Sequence, residues 1–139
     1  MRPLIVVAAL VLFLPLTASA ATTQRNPTPN ERSALTRSVL ASLELDSPTI
    51  PIKVLAIRVS TQPPGAASVY SKFATVEFTG LSESGEQLDT ISGFLGYSRR
   101  LKVWTMIEYG SSGENGCVRP AALFGGRKVA ILGDLGARC

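Results

Sequence analysis

The chain has 139 residues, of which 45% are hydrophobic, and it carries 14 Lys and Arg against 10 Asp and Glu. This length suits one domain with one modest core. The chain contains no His, which excludes Ser-His-Asp and Cys-His catalytic sites and removes the commonest metal ligand. We therefore expect neither a metal site nor a cofactor, and the net charge of +4 is only a weak indication of an anionic partner.

The N-terminal segment has the pattern of a secretory signal peptide. An apolar run at residues 4–16 is followed by Ala18-Ser19-Ala20, small residues of the kind that a signal peptidase recognises. The run is too short to span a bilayer, so we expect cleavage after residue 20 and no stable membrane span. Residues 21–27 are polar and aperiodic, which predicts a disordered leader before a single domain of residues 28–139. The expected location is secreted or periplasmic.

A helix signal begins at Thr28. Thr28 stands at the N-cap and Glu31 follows three residues later, which together make a capping box. Leu35, Val39 and Leu43 then recur at intervals of four residues. The pattern predicts an amphipathic helix of about four turns that covers one face of a sheet.

Four stretches favour strands, at residues 50–60, 70–79, 90–97 and 102–109. Each is rich in β-branched and aromatic residues, and the second has strict period-two alternation. Residues 81–89 are polar and predict a long hairpin loop, so the last three strands form an antiparallel meander.

Two of the predicted strands raise questions about which face is buried. In the first, alternation places Leu55, Ile57 and Val59 on one face. The last strand is apolar on both sides, with Trp104 opposing Val103, so either each face of the sheet is partly covered or the sheet curls around a helix. The fold class that we expect is α+β, with one N-terminal helix packed on a curved antiparallel sheet of about four strands.

The two cysteines, Cys117 and Cys139, follow a predicted export signal and have no third cysteine to compete with them. They predict one intramolecular disulfide that staples the C-terminal segment. Residues 120–124 fit a short helix, and residues 127–132 fit either a helix or a strand.

The C-terminal third also carries a resemblance. The stretch W-T-M-I-E-Y-G-S-S-G-E-N-G-C, then Arg119-Pro120 and a closing L-G-A-R-C, resembles the end of small secreted bacterial domains of unknown function. In those domains a Trp-led strand is followed by a Cys, a Pro-led helix and a final Cys. A helix followed by an antiparallel sheet also resembles the cystatin-like and NTF2-like architectures, in which a curved sheet wraps a helix. The resemblance implies a fold and carries no inhibitory or catalytic activity to this chain.

Few residues favour catalysis. Glu77 and Glu108 lie in predicted strands and make a conceivable carboxylate pair, but a solvated strand face explains both. We therefore expect no catalytic residues and no enzymatic activity.

Binding residues are easier to nominate, because residues 99–139 hold seven basic and three acidic side chains. A basic surface is expected from five of these cations: Arg99, Arg100, Lys102, Arg127 and Lys128. Three aromatic residues, Trp104, Tyr97 and Tyr109, are expected to line a pocket.

These observations favour an exported, non-catalytic binding protein that contacts another protein. An inhibitor or immunity-type role would suit a small stapled scaffold with a basic hairpin, and it is an analogy at the level of the fold. An anionic envelope polymer is a second expected partner, and export disfavours nucleic acid. The alternatives are a ligand-binding or enzymatic domain with a pocket between helix and sheet, and a structural component of the envelope held by charge. Filling of the space under the helix by Leu35, Val39, Leu43 and Trp104 would leave no room for such a pocket.

Overall fold

A computed structural model describes residues 25–46, 51–111 and 115–139. The predicted signal peptide and residues 21–24 of the predicted leader lie outside the described residues. The elements in chain order are α1 Pro29–Asp46, β1 Ile52–Val59, β2 Tyr70–Leu81, β3 Gln87–Ser98, β4 Trp104–Ser111, a short 3₁₀ helix η1 Ala121–Phe124, and α2 Lys128–Asp134. The four strands form one antiparallel sheet in the order β1-β2-β3-β4. The expected α+β class and the predicted meander are confirmed.

The capping box at the start of α1 is confirmed. The Thr28 N–H donates to Glu31 Oε2 at 2.9 Å, and the Glu31 N–H donates to Thr28 Oγ1 at 3.2 Å. The helix runs for 18 residues, which is about one turn longer than the periodic stripe predicted. In neither helix of the described ranges is there a segment long and apolar enough to cross a membrane.

The sheet buries apolar side chains on both faces. Under α1 lies a cluster of nine buried residues: Leu35, Val39, Ile57, Val59, Ala74, Val76, Phe78, Leu95 and Trp104. On the opposite face lies a second cluster: Phe73, Phe94, Phe124, Ile131, Leu132 and Leu135. The segment that covers this second face, residues 115–139, is called the C-terminal cap below. The last predicted strand is apolar on both sides because α1 covers one face of the sheet and the C-terminal cap covers the other.

A bulge in β1 overturns the predicted face assignment of that strand. The pairing with β2 shifts between Val54 and Ala56, so Leu55 is an extra residue. Leu55 is 42% exposed, whereas Ile52 and Val54 pack with Ile57 against the cluster under α1. The predicted grouping of Leu55 with Ile57 was wrong, because an inserted residue reverses the alternation.

The loop between β2 and β3 is shorter than residues 81–89. Both strands extend into that range, to Leu81 and from Gln87, and only residues 82–86 form the turn. Thr79 stabilises the extended hairpin, since its buried hydroxyl donates to the Leu88 carbonyl at 2.6 Å. A polar composition was mistaken for a loop here, because both faces of this end of the hairpin are exposed beyond Thr79.

The C-terminal cap is closed by the predicted disulfide. Cys117 and Cys139 are joined, with their Cα atoms 5.5 Å apart. Of residues 127–132, which the sequence left open between helix and strand, residues 128–132 belong to α2 and Arg127 is its N-cap. Before α2, Gly125 and Gly126 have φ angles of 58° and 82°, a left-handed backbone that ends η1.

Residue 25 ties the described start of the chain to the sheet. Arg25 forms a two-way backbone bridge with Val59, with N···O distances of 3.0 and 3.1 Å. Only residues 25–27 of the predicted leader are described, and the chain at Arg25 is fixed beside the end of β1.

Candidate functional site

Cationic side chains gather at one end of the sheet, the end where β1 and β3 finish and where β2 and β4 begin. We call this the basic end, and it carries six cations: Arg25, Lys72, Arg99, Arg100, Lys102 and Arg127. The opposite end carries the turn between β2 and β3, whose charged residues are Glu83, Glu86 and, at the start of β3, Asp89. These six cations and three carboxylates therefore lie at opposite ends of the sheet, which was not visible from the net charge.

An open groove of about 560 Å³ lies at the basic end, between α1 and the sheet. We call it the α1 groove, and its lining is Asn30, Glu31, Ala34, Arg37, Ser38, Ala41, Lys72, Tyr97, Lys102, Val103 and Trp104. Its volume lies within the range of about 300–1,000 Å³ that is typical of ligand sites. Most of the lining surface is apolar, although six of the eleven lining residues are polar or charged.

Two predicted pocket residues meet in this groove. The rings of Tyr97 and Trp104 pack edge to face with their centroids 5.4 Å apart. The Lys72 ammonium lies 5.6 Å from the centroid of the Tyr97 ring, in cation–π geometry. Ser38 fixes α1 against this wall, because its hydroxyl donates to the Trp104 carbonyl at 2.9 Å.

The groove has an excess of positive charge. Its one carboxylate, Glu31, accepts two hydrogen bonds from Arg25 at 2.6 and 2.7 Å and lies 3.7 Å from Lys72. Arg37 and Lys102 form no ion pair with any carboxylate whose side chain the structure describes. Two cations at the groove are thus available to an anionic partner.

Lys102 has an unusual backbone conformation. Its φ is 56°, and among the described residues it is the one non-glycine residue with positive φ. This left-handed conformation costs a residue with a Cβ about 1–2 kcal/mol relative to the right-handed region. The residue ends the turn between β3 and β4, and hairpin loops commonly contain one residue in this conformation.

The other cations predicted for the basic surface differ in their hydrogen-bond partners and in their exposure. Arg99 Nε donates to the Ser68 carbonyl at 3.0 Å, and Arg127 donates to Gln62 Oε1 at 3.0 Å. Lys128 points inward, since its ammonium donates to the carbonyls of Cys117 and Arg119 at 2.5 Å each. Lys128 therefore supports the C-terminal cap, and the exposed cations of the predicted set lie at the basic end.

Tyr109 lies apart from the α1 groove. It is five residues beyond Trp104 on β4, a separation of about 16 Å along a strand. It lines a separate hollow with Cys117 and Cys139, at the other end of the strand. The predicted trio of aromatic residues is thus a pair in the groove and one residue elsewhere.

The space directly under α1 is filled. Leu35 and Val39 have no exposed surface, Trp104 is 6% exposed, and Leu43 packs against them. These are the side chains whose burial leaves no room for an enclosed pocket between helix and sheet. Within the described ranges, the α1 groove is the open surface that this part of the helix offers to a ligand.

The two carboxylates predicted to lie in strands, Glu77 and Glu108, have different surroundings. Glu108 accepts hydrogen bonds from Arg119 Nε, at 2.7 Å, and from the Gly116 N–H, and so it braces the cap. Glu77 lines a small hollow of about 40 Å³ on the same face of the sheet as α2. Since β3 separates β2 from β4, the two carboxylates are not on neighbouring strands. No cluster of three or more His, Cys, Asp or Glu that suits a metal ion occurs within the described ranges.

Comparison of the chain with protein-family models, with curated proteins and with solved structures finds no match. The functional argument for this chain therefore depends on its own geometry and charge.

Sequence reasoning missed the contributions of Lys72, Arg37 and Arg25 to the site. A signal for Lys72 was present, because period-two alternation puts residue 72 on the same face as Ala74 and Val76, which α1 covers. A charged residue near the start of the strand, on the face that the helix covers, is expected to lie at the edge of the helix. Nothing local to Arg25 or Arg37 indicates the groove, which depends on how α1 crosses the sheet.

Stability should depend on pH through the pair of Arg25 and Glu31. Hydrogen bonds from Arg25, with smaller contributions from Thr28 and Lys72, lower the pKa of Glu31 from 4.5 to about 2. A carboxyl whose pKa is lower in the folded state contributes stability that is complete above pH 4.5 and is lost as the pH falls toward 2. Because the Arg25 side chain is 37% exposed, we expect Glu31→Gln to cost only about 1–2 kcal/mol at neutral pH.

Urea unfolding of Glu31→Gln and of the unaltered protein across this pH range measures the effect. The difference in unfolding free energy should shrink toward zero between pH 4.5 and 2. Glu86→Gln, in the exposed turn after β2, is the matched control and should change stability by less than about 0.5 kcal/mol. A pH-independent difference for Glu31→Gln would contradict the account of this pair.

Proposed function

We propose that this chain is an exported, non-catalytic binding protein that contacts another protein through its basic end. The observation that carries the proposal is the α1 groove, where an open, mostly apolar surface is bordered by Arg37 and Lys102 without carboxylate partners among the described side chains. Surfaces that combine apolar area with polar groups and arginine are typical of protein interfaces. Complementary charge at such a rim favours rapid and selective association.

Two features support export. The N-terminal 20 residues have the composition and cleavage pattern of a secretory signal, and the domain contains one disulfide. Disulfides persist in oxidising compartments and are rare in the cytosol. A periplasmic or extracellular location accommodates both features.

We also infer that the domain has the cystatin-like or NTF2-like type of architecture, with a sheet that curves about α1. The support is the order of elements, one helix followed by a four-stranded meander with α1 across one face. The C-terminal cap on the second face is an addition to that plan. An inhibitor or immunity-type role is an analogy at the level of the fold, and the basic end gives it a candidate surface.

A capture experiment tests the proposal. The oxidised protein, expressed with its own N-terminal segment, is immobilised and exposed to secreted and envelope extracts at low and physiological salt. We expect one protein to be retained at both salt concentrations and identified by mass spectrometry. Arg99→Ser combined with Arg100→Ser should reduce this retention at least several-fold, because the two side chains extend from the turn beside the α1 groove.

The control is a double variant with the same loss of charge, Lys53→Ser with Arg138→Ser, at exposed positions away from the basic end. The proposal is contradicted if the control variant loses as much retention as the Arg99 and Arg100 variant. Retention of polymers alone, lost at physiological salt, would support the envelope component instead, because salt screens exposed charges.

A further inference from the structure

We propose that the α1 groove is one half of a longer trough that binds an extended, acidic segment of the partner protein, with one apolar side chain seated beside Val103 and Trp104. This inference rests on the proposed function and names the chemistry of the partner. The proposed ligand is an extended polypeptide segment, and binding to a folded protein surface or to a polysaccharide would be a different result of the test.

The trough is formed by two hollows that share Lys72. The second hollow, of about 320 Å³, lies beyond the end of β1, and its lining is Arg25, Ser60, Thr61, Gln62, Pro63, Ser71 and Lys72. Arg25 belongs to this hollow and Glu31 to the α1 groove, and their ion pair of 2.6 Å lies where the two hollows meet. A ligand that contacts both hollows must extend across this ion pair, which suits an extended chain better than a compact small molecule.

The charges along this trough favour carboxylates on the ligand. Arg37, Lys72 and Lys102 line the first hollow, and Arg25 and Lys72 line the second. Glu31 is the one carboxylate among the lining residues of either hollow, and Arg25 already neutralises it through two hydrogen bonds. Carboxylates of a bound segment would form charge-assisted hydrogen bonds with the remaining cations.

The apolar part of the trough favours a polypeptide over a sugar polymer. Ala34 and Ala41 on α1 are small, and Val103 opposite them is 50% exposed, so the groove accepts an apolar side chain between them. Trp104 is only 6% exposed and its ring packs edge to face with Tyr97. It therefore presents no open ring face on which a sugar would stack.

The wall of the second hollow is held in place before any ligand binds. Asp134 of α2 accepts hydrogen bonds from the Ser60 hydroxyl at 2.7 Å and from the Thr61 N–H at 2.9 Å. Farther along the same loop, a Cβ added to Gly65 would stand 2.0 Å from the Gly125 carbonyl oxygen, so the loop backbone lies directly against the cap. A preformed wall lowers the entropy that a ligand must lose on binding.

Lys102 is the last residue of the turn between β3 and β4, where its N–H donates to the Ser98 carbonyl at 2.9 Å. A glycine would fit its left-handed backbone without strain, yet the chain places a lysine there whose side chain lines the groove. A left-handed residue is common in a hairpin loop of this kind, and Lys102 adds to the trough a cation that forms no ion pair among the described side chains.

Selection from a random library of linear dodecapeptides tests the proposal. The oxidised protein, expressed with its own N-terminal segment, is the target, and the most enriched peptide is then synthesised and its affinity measured. We expect enriched peptides to carry several Asp or Glu residues and at least one apolar residue. Lys72→Glu with Lys102→Glu should weaken binding of the synthesised peptide at least tenfold.

Two further variants distinguish a loss of contacts in the trough from an effect of net charge and from an effect on stability. Lys53→Glu with Arg138→Glu changes the net charge equally outside the trough, and we expect less than a twofold change in affinity. Lys102→Gly relieves the left-handed backbone, so the thermal midpoint should stay the same or rise while the affinity falls several-fold.

The outcomes also distinguish this inference from the proposed function. Enriched peptides without acidic residues, equal weakening by both charge variants, or no enriched peptide would overturn the inference. If the capture experiment still retains one protein in those cases, the proposed function stands and the partner binds through a folded surface. If capture also fails, both proposals are wrong.

Discussion

Phe124→Ala is expected to lower the free energy of unfolding by about 3–5 kcal/mol, the largest effect that we predict for a single substitution. Phe124 has no exposed surface, and its ring centroid lies 5.1 Å from that of Phe73 and 5.9 Å from that of Phe94. Removing the ring leaves a cavity between the C-terminal cap and the sheet. Phe73 and Phe94, which stack with their planes 6° apart, then lose their common neighbour.

Urea or thermal unfolding of the oxidised protein measures this effect. Val129→Ala, in α2 of the same cap, is the matched control, because Val129 is 87% exposed and should contribute less than about 0.5 kcal/mol. A loss below about 1 kcal/mol for Phe124→Ala would mean that the cap does not pack on the sheet as described.

Removal of the disulfide is expected to cost about 3 kcal/mol. The bond between Cys117 and Cys139 closes a loop of 22 residues, and without it the unfolded chain regains the entropy of the open loop. The loop contains η1 and α2, which are short and depend on the cap for their packing. We expect Cys117→Ala with Cys139→Ala to lower the thermal midpoint by roughly 10–20 °C.

A reducing agent provides the control for this prediction. It should destabilise the unaltered protein by a similar amount and leave the double alanine variant unchanged. Destabilisation of both proteins by the reductant, or a cost below about 1 kcal/mol, would show that the staple contributes little to the folded state.

The cap links these two predictions to the proposed binding site. Its residue Asp134 holds Ser60 and Thr61, which form one wall of the trough. A cap loosened by either change should therefore weaken peptide binding as well as stability.

The parts of the fold that the sequence predicted are those with a local cause. The capping box at Thr28 involves residues three positions apart, and the alternation of β2 involves side chains two positions apart. The disulfide followed from there being only two cysteines. Each of these patterns has one structural solution, so composition and spacing were sufficient.

The errors have non-local causes. The bulge at Leu55 depends on how β1 pairs with β2, and no residue within β1 predicts it. The strand-like ends of the β2–β3 hairpin are polar, so their composition resembles that of a loop although backbone pairing continues to Leu81 and Gln87.

The candidate site was predicted in part. Trp104, Tyr97 and Lys102 were nominated for aromatic character or charge, and the groove brings them together. Tyr109 was nominated on the same grounds but lies beside the disulfide, since membership of one strand does not imply membership of one site. Arg37 reaches the groove only because α1 crosses the sheet beside Trp104, an arrangement that long-range packing determines, whereas the alternation of β2 already placed Lys72 on the covered face.

Fluorescence of Trp104 tests the central claim most directly, because it is the one tryptophan of the chain and it lines the trough. The measurement is a titration of the oxidised protein with a tryptophan-free acidic peptide from the selection. We predict a saturable change in Trp104 emission that is lost in Lys72→Glu with Lys102→Glu and kept in Lys53→Glu with Arg138→Glu. Peptide binding that leaves the Trp104 emission unchanged, or that responds equally to both charge variants, would contradict the account.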